Sequence, residues 1–182
     1  MAVDFSLAEN QSVLANTPAV LETLLRPLPQ RLLNVNEGPG TWSALQVVSH
    51  LAWGECDDWV PRTRRILEHG ASSPFTPFDR EAGFTRYAGW SLDRLLDEFS
   101  RLRASNLSAI GQMHLGPDQL KLEGRHPELG LVTLEQLLAT WVTHDYAHLA
   151  QITRVLTRHY GRFAGPWRRF FSVLVSQDAT PA

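Results

Sequence analysis

The sequence predicts an all-α fold, a helical bundle with a short C-terminal helix. Four long segments repeat apolar residues at three- and four-residue spacing, no segment sustains apolar/polar alternation beyond a few positions, and prolines, glycines and capping residues punctuate the periodic runs. A chain of 182 residues buries roughly 70% of the surface its unfolded form exposes. One domain over residues 1–182 is therefore expected, without disulfide staples.

The first segment runs from about Phe5 to Leu28, with Leu7, Leu14, Leu21, Leu24, Leu25 and Leu28 as its apolar stripe. Thr17-Pro18 interrupts it as either a kink or a junction between two helices, since Thr can cap and Pro can take the first helical position. Pro27 and Pro29 end it. After N-E-G-P-G a second helix starts near Thr41 or Ser43 and continues to His69, closed by Gly70. Pro61 lies well inside it and predicts a bend. Residues Ala71 to Trp90 hold five aromatics without clear period, and so long a connection in a compact domain suggests a segment that covers a site. The third helix begins at Ser91 and buries Leu92, Leu95, Leu96, Phe99, Leu102, Leu107 and Ile110. A turn-rich stretch precedes the fourth helix, which opens at Thr133 with a capping box closed by Gln136 and reaches about Tyr160. A final helix over Pro166 to Val175 is expected to pack Trp167, Phe170, Phe171 and Leu174 on the bundle.

Lys and Arg number 17 against 19 Asp and Glu, a net charge of -2, with 43% apolar and 20% charged residues. A pI near 6.4 leaves no basic footprint for a phosphate backbone, so nucleic acid is not an expected partner. Cys56 is the only cysteine, which excludes an intrachain disulfide and paired-Cys zinc ligation and fits a reducing cytoplasm. The N-terminal residues carry Asp4 and Glu9 and lack a signal peptide's basic end and apolar run. No stretch approaches the eighteen or so apolar residues of a membrane span, so no membrane partner is expected either.

The chemistry concentrates in T-W-V-T-H-D-Y-A-H-L-A-Q-I on the fourth helix, where His144 and His148 are four apart and share one face. Such spacing presents two imidazoles to one metal, and Leu137, Trp141 and Ile152 place that face toward the core. Burial demands a partner, because an unsatisfied polar group in a core costs about 1–3 kcal/mol. His50, on an apolar face of the second helix, is the complement. Each of the three is either a metal ligand or a core histidine bonded to a carbonyl. Three imidazoles from two helices with no fourth protein ligand would leave open positions for water or substrate. Gly54 and Asp57 return to the face of His50 and could line the cavity. Trp53, Trp141 and Gln151 lie close to a ligand's face, the two tryptophans as packing or pocket residues and Gln151 as a bond to a ligand or an imidazole. Asp145 either orients a histidine of the neighbouring helix or is solvated. His69 and His159 suit helix C-termini; His114 and His126 are surface residues, His126 the spare candidate. Cys56, about 240° around the helix from His50, is an apolar filler pointing away from the ion.

The runs T-W-S-A-L-Q-V-V-S-H-L-A-W-G-E at 41–55 and W-V-T-H-D-Y-A-H-L-A-Q-I at 141–152 resemble the DinB/YfiT-like metal-binding four-helix bundles over nearly the whole chain. The resemblance implies an up-down-down-up bundle, often a homodimer, with one divalent metal, commonly nickel or zinc, on His50, His144 and His148. Members resemble thiol-dependent S-transferases that use bacillithiol or mycothiol, maleylpyruvate isomerases, or proteins without an assigned activity. A transferase acting on a small electrophile is the expectation, since a metal can deprotonate a low-molecular-weight thiol that then attacks. The alternatives are a metal-dependent hydrolase and a non-enzymatic, metal-stabilised dimeric binding protein. H-D-Y-A-H departs from the H-E-x-x-H peptidase motif, with Asp145 one methylene shorter than the Glu base.

Overall fold

The computed structural model describes residues 4–175. Four long helical arms form the bundle: α1 (Leu7–Leu25), the pair α3 (Ala44–Asp57) and α4 (Trp59–His69), α6 (Leu92–Gln112), and α8 (Leu134–Gly161). Short helices α2 (Gln30–Leu33), α5 (Ala82–Arg86), α7 (Pro117–Leu120) and α9 (Ser172–Val175) decorate it. Each long arm begins on a residue able to satisfy free backbone N–H groups. Ser6 and Ser91 accept from Glu9 and Arg94, while Ser43 with Gln46 and Thr133 with Gln136 close full capping boxes.

Two core clusters fix the direction of every arm. One gathers Leu21 and Leu25 of α1, Val47 and Val48 of α3, Leu95 and Phe99 of α6, and Ile152 of α8. The other gathers Leu14 of α1, Trp59 of α4, Ile110 of α6, and Leu134 and Trp141 of α8. The first and last arms therefore run from the second cluster to the first and the middle two run the opposite way, an up-down-down-up order. Because α4 and α6 belong to arms pointing the same way, the connection between them must travel back along the bundle.

That return path runs through residues 70–91 and is anchored twice. Phe75 N–H donates to the Arg125 carbonyl at 2.9 Å, and α5 lies on α3 at Gly83. A Cβ at Gly83 would sit 2.5 Å from the Ser49 carbonyl oxygen and 2.9 Å from Trp53 Cβ. Only glycine allows so close an approach. Gly83→Ala is expected to push α5 off α3 at a cost of about 1–3 kcal/mol, read as a melting temperature several degrees lower; an unchanged transition would show that the segment is not held by this contact.

Of the two readings at Thr17-Pro18, the junction is excluded, since α1 continues through Pro18 as one helix. Two other expectations are corrected. The second helix is not one bent rod but two helices broken at Asp58 (φ -107°, ψ -74°), which places Pro61 in the first turn of α4, where its missing N–H leaves no helical bond unmade. After α8 the described residues form a 3₁₀ segment, Gly165–Phe170, followed by α9, and of the four expected packing residues Leu174 is buried while Trp167, Phe170 and Phe171 remain exposed. The turn-rich stretch before α8 also holds a hairpin, β1 (Glu123–His126) antiparallel to β2 (Gly130–Thr133), with Glu123 opposite Thr133 and His126 opposite Gly130. Four-residue strands are too short for alternation to announce them. Among the described residues no helix is long and apolar enough to cross a membrane.

Candidate metal centre

α3 carries His50 across from α8, which carries His144 and His148 one turn apart. Their Nε2 atoms converge: His50 to His144 at 2.9 Å and His148 to His144 at 3.2 Å. Among the described residues this is the cluster that could hold a metal, its ligand atoms all within 4.8 Å of one another. Ligands on one ion, bonded at about 2.0–2.1 Å for imidazole nitrogen, come this close.

Hydrogen bonding fixes two tautomers. His50 Nδ1 faces the Arg80 carbonyl at 2.9 Å, and a carbonyl only accepts, so Nδ1 carries the proton and Nε2 a lone pair. His148 Nδ1 donates in the same way to Gln151 Oε1 at 2.8 Å. Two lone pairs therefore face His144 Nε2, and one proton there serves only one of them. His144 Nδ1 is buried without a partner among the described residues. The trio is short of one positive centre, which is what a cation among the three nitrogens supplies. The donor set thus fits a divalent metal, and two of the three imidazoles are already oriented by outer acceptors.

Burial keeps the rings neutral. It lowers His50 to about 4 and His144 to about 2, with the neighbouring imidazoles adding to the effect, and it lowers His148 against the Gln151 bond. Neutral imidazole is the ligating form. Trp42 covers the group, its ring 4.8 Å from that of His50 and stacked on His148 at 6.0 Å.

The three histidines open onto a cavity of about 420 Å³ walled by Phe75, Phe78, Val132 and Leu137, with Asp58 and Arg62 also on its lining. Burial raises Asp58 to about 6 despite its Arg62 partner, 2.7 Å away. Arg80 lies on the rim with its guanidinium over Trp42 at 5.5 Å, pairs with no carboxylate among the described residues, and also borders a second, polar cavity of about 330 Å³ beside Thr41 and Gln151.

The remaining candidates fall elsewhere. Asp57 is exposed and off the cavity. Trp53 packs on the first core cluster under α5, and Trp141 is fully buried, stacked on Trp59. Asp145 is neither solvated nor bonded to a histidine, because both its oxygens accept from the buried Arg103 at 2.7 and 3.0 Å. Gln151 takes up an imidazole. Cys56 is half-buried beside the Tyr87 hydroxyl at 3.6 Å, so it is a polar neighbour rather than a filler, and it does not line the cavity. His126 lines the cavity from β1 while its Nδ1 accepts from the Glu128 and Leu129 N–H groups.

Phe78, Arg80 and Trp42 carry no local sequence mark of a role here. The first two come from the aperiodic connection, whose length is the signal. Trp42 stands beside the α3 cap inside the run that carries His50.

The pattern that defines the DinB superfamily matches residues 14–152. The chain is 26% identical over 156 residues, 80% of its length and 82% of the other's, to a Bacillus subtilis protein named "Putative metal-dependent hydrolase YfiT". Among solved structures it is similar to YfiT from Bacillus subtilis, described as "a probable metal-dependent hydrolase with an unusual four-helix bundle topology", at a TM-score of 0.73 and 24% identity over 88% of this chain and 93% of that one. It is also similar to TT2238, "a four-helix bundle protein", at a TM-score of 0.57 and 22% identity over 81% of this chain and 98% of that one.

Proposed function

The chain belongs to the DinB superfamily, and from that premise we propose that it is a metal-dependent enzyme, a hydrolase of small, partly apolar molecules that carry an anionic group. The observation that supports this is the convergence of three neutral Nε2 atoms at a cavity, with no fourth ligand-type side chain in their cluster among the described residues. His50, His144 and His148 would hold one divalent ion, nickel and zinc both accepting imidazole donors. When bound, such an ion polarises an incoming carbonyl and lowers the pKa of a bound nucleophile.

The rest is the work of the chain's own groups. Phe75, Phe78, Val132 and Leu137 bury the substrate's apolar part and exclude bulk water. Asp58, with its pKa raised to about 6, can take and return a proton near neutral pH. The free Arg80 guanidinium reads the anionic group, whereas Arg62 on the same wall is neutralised by Asp58.

Thiol transfer is the second reading. The aromatic walls that would shield a sulfur nucleophile favour it, and the thiol must arrive as a cofactor such as bacillithiol or mycothiol because Cys56 lies off the cavity.

The test loads the stripped protein with nickel or zinc and assays esters and amides, with and without a carboxylate, beside conjugation of monochlorobimane with each thiol. Metal-dependent hydrolysis with preference for the anionic substrates is expected, and Arg80→Ala should raise KM for those about tenfold, the loss of one charge-assisted bond at an exposed site, while leaving kcat nearly unchanged. Turnover only with thiol overturns hydrolysis in favour of transfer; failure to bind either ion overturns both.

A further inference from the structure

Between Asp145 and Asp178 the sequence holds Arg154, Arg158, Arg162, Arg168 and Arg169 and no carboxylate, in a chain whose net charge is -2. Glu37 neutralises the first two, pairing with Arg154 at 2.8 Å and Arg158 at 2.7 Å. Arg162, Arg168 and Arg169 form no ion pair among the described residues. Around them stand the most exposed aromatic side chains of the described molecule: Phe163 at 78%, Trp167 at 69% and Phe170 at 63%, with Tyr160, Phe171 and Val175 about half exposed. The face is built rather than loose. Arg168 donates to the Gly161 carbonyl at 3.1 Å, Leu174 packs onto Gly161, and Arg169 lies over Phe170 at 4.8 Å. A groove of about 440 Å³ between Leu156, Tyr160, Phe171 and Leu174 opens beside it.

The expectation of no membrane partner rests on the absence of a spanning stretch; we propose that this face, from Tyr160 to Val175, nevertheless docks the protein on an anionic lipid surface. Exposed Trp, Tyr and Phe next to arginines are the combination that settles at a bilayer interface, where rings enter the headgroup layer and guanidinium groups meet phosphate. Charge complementarity favours this occupant over a second copy, because a self-complementary contact pairs the patch with itself, and among the described residues the patch carries arginines but no carboxylate to meet them. It favours lipid over nucleic acid because the rings are joined by exposed aliphatic Val175, which a headgroup layer buries but on which a base does not stack. The metal cavity, walled by α4, the hairpin and the N-terminal half of α8, is built elsewhere in the fold, so docking at the C-terminal end of α8 leaves it unused by the membrane.

The test is sedimentation of the full chain with vesicles of phosphatidylcholine alone or mixed with phosphatidylglycerol. At least tenfold more protein should pellet with the anionic vesicles, weakening as salt rises, since each arginine near an anionic surface contributes roughly a kcal/mol. The double variant Arg162→Glu/Arg169→Glu should lose that preference, and Trp167→Ala/Phe170→Ala should bind at least several-fold less. All four positions are exposed, so circular dichroism should be unchanged. The proposal is overturned if the wild type pellets with neither vesicle, if the variants bind as well as it does, if the variants instead convert a dimer into monomers, or if the wild type binds a single-stranded oligonucleotide and not the vesicles.

Discussion

His144→Ala protein should emerge from purification with essentially no divalent ion, while the wild type carries about one per chain by elemental analysis. His144 is the shared neighbour of the trio, its Nε2 within 3.2 Å of both other donors, so no pair of the remaining histidines replaces it. The loss should exceed the roughly 10–100-fold fall in affinity typical of an outer partner, which is what Gln151→Leu should show, since Gln151 only orients His148. Stability gives a second readout. A ligand at a hundred times its Kd stabilises the folded state by about 2.7 kcal/mol, which for a chain of this size raises the melting temperature by roughly 5–11 °C. Nickel or zinc should produce that rise in the wild type and none in His144→Ala. Equal metal content in the two proteins would mean that the three nitrogens are not the site.

What the sequence makes legible here is whatever repeats locally. The heptad-like leucines of α6, the capping boxes at Ser43 and Thr133 and the four-residue step from His144 to His148 are all visible within one or two helical turns. The pairing of His50 with the α8 histidines has no such local mark, and its apolar neighbours together with the family resemblance pointed to it. Features set by long-range contact stayed hidden. Arg103 reads as one more charge on an amphipathic helix, yet it is 1% exposed, because Glu55 and Asp145, 48 and 42 residues away, meet it in the core. Asp145 accordingly reads from sequence as solvated or beside a histidine. The break at Asp58 went unread because Pro61 signals a disturbance without saying whether the helix bends or restarts. The aromatic run at Trp167 to Phe171 looked like core by composition, but only Leu174 finds a partner small enough, Gly161, to pack against α8.

Arg103→Met should be among the strongly destabilising single changes in the protein. Its guanidinium donates to Glu55 Oε1 at 2.8 Å, to both Asp145 oxygens, and to the Leu14 carbonyl at 2.8 Å. It thereby ties the helix of His50, the helix of His144 and α1 through one buried group. Removing it strands two carboxylates in the core, and breaking a buried ion pair from one side costs about 3–5 kcal/mol, or roughly 6–20 °C of melting temperature. The mechanism separates from simple loss of volume in two ways. Adding Glu55→Gln and Asp145→Asn to Arg103→Met should recover much of the loss, since the stranded charges are gone; a cavity would not be refilled by either change. The fourth bond traces back to Pro18, which has no N–H to give Leu14, the residue four before it, and so leaves that carbonyl for Arg103. In Arg103→Met the carbonyl is bereft of both donors. Pro18→Ala restores the helical one, so it should stabilise the Arg103→Met protein by about 1 kcal/mol more than it stabilises the wild type. Strict additivity of the two substitutions in chemical denaturation would show that the proline and the arginine do not share that carbonyl.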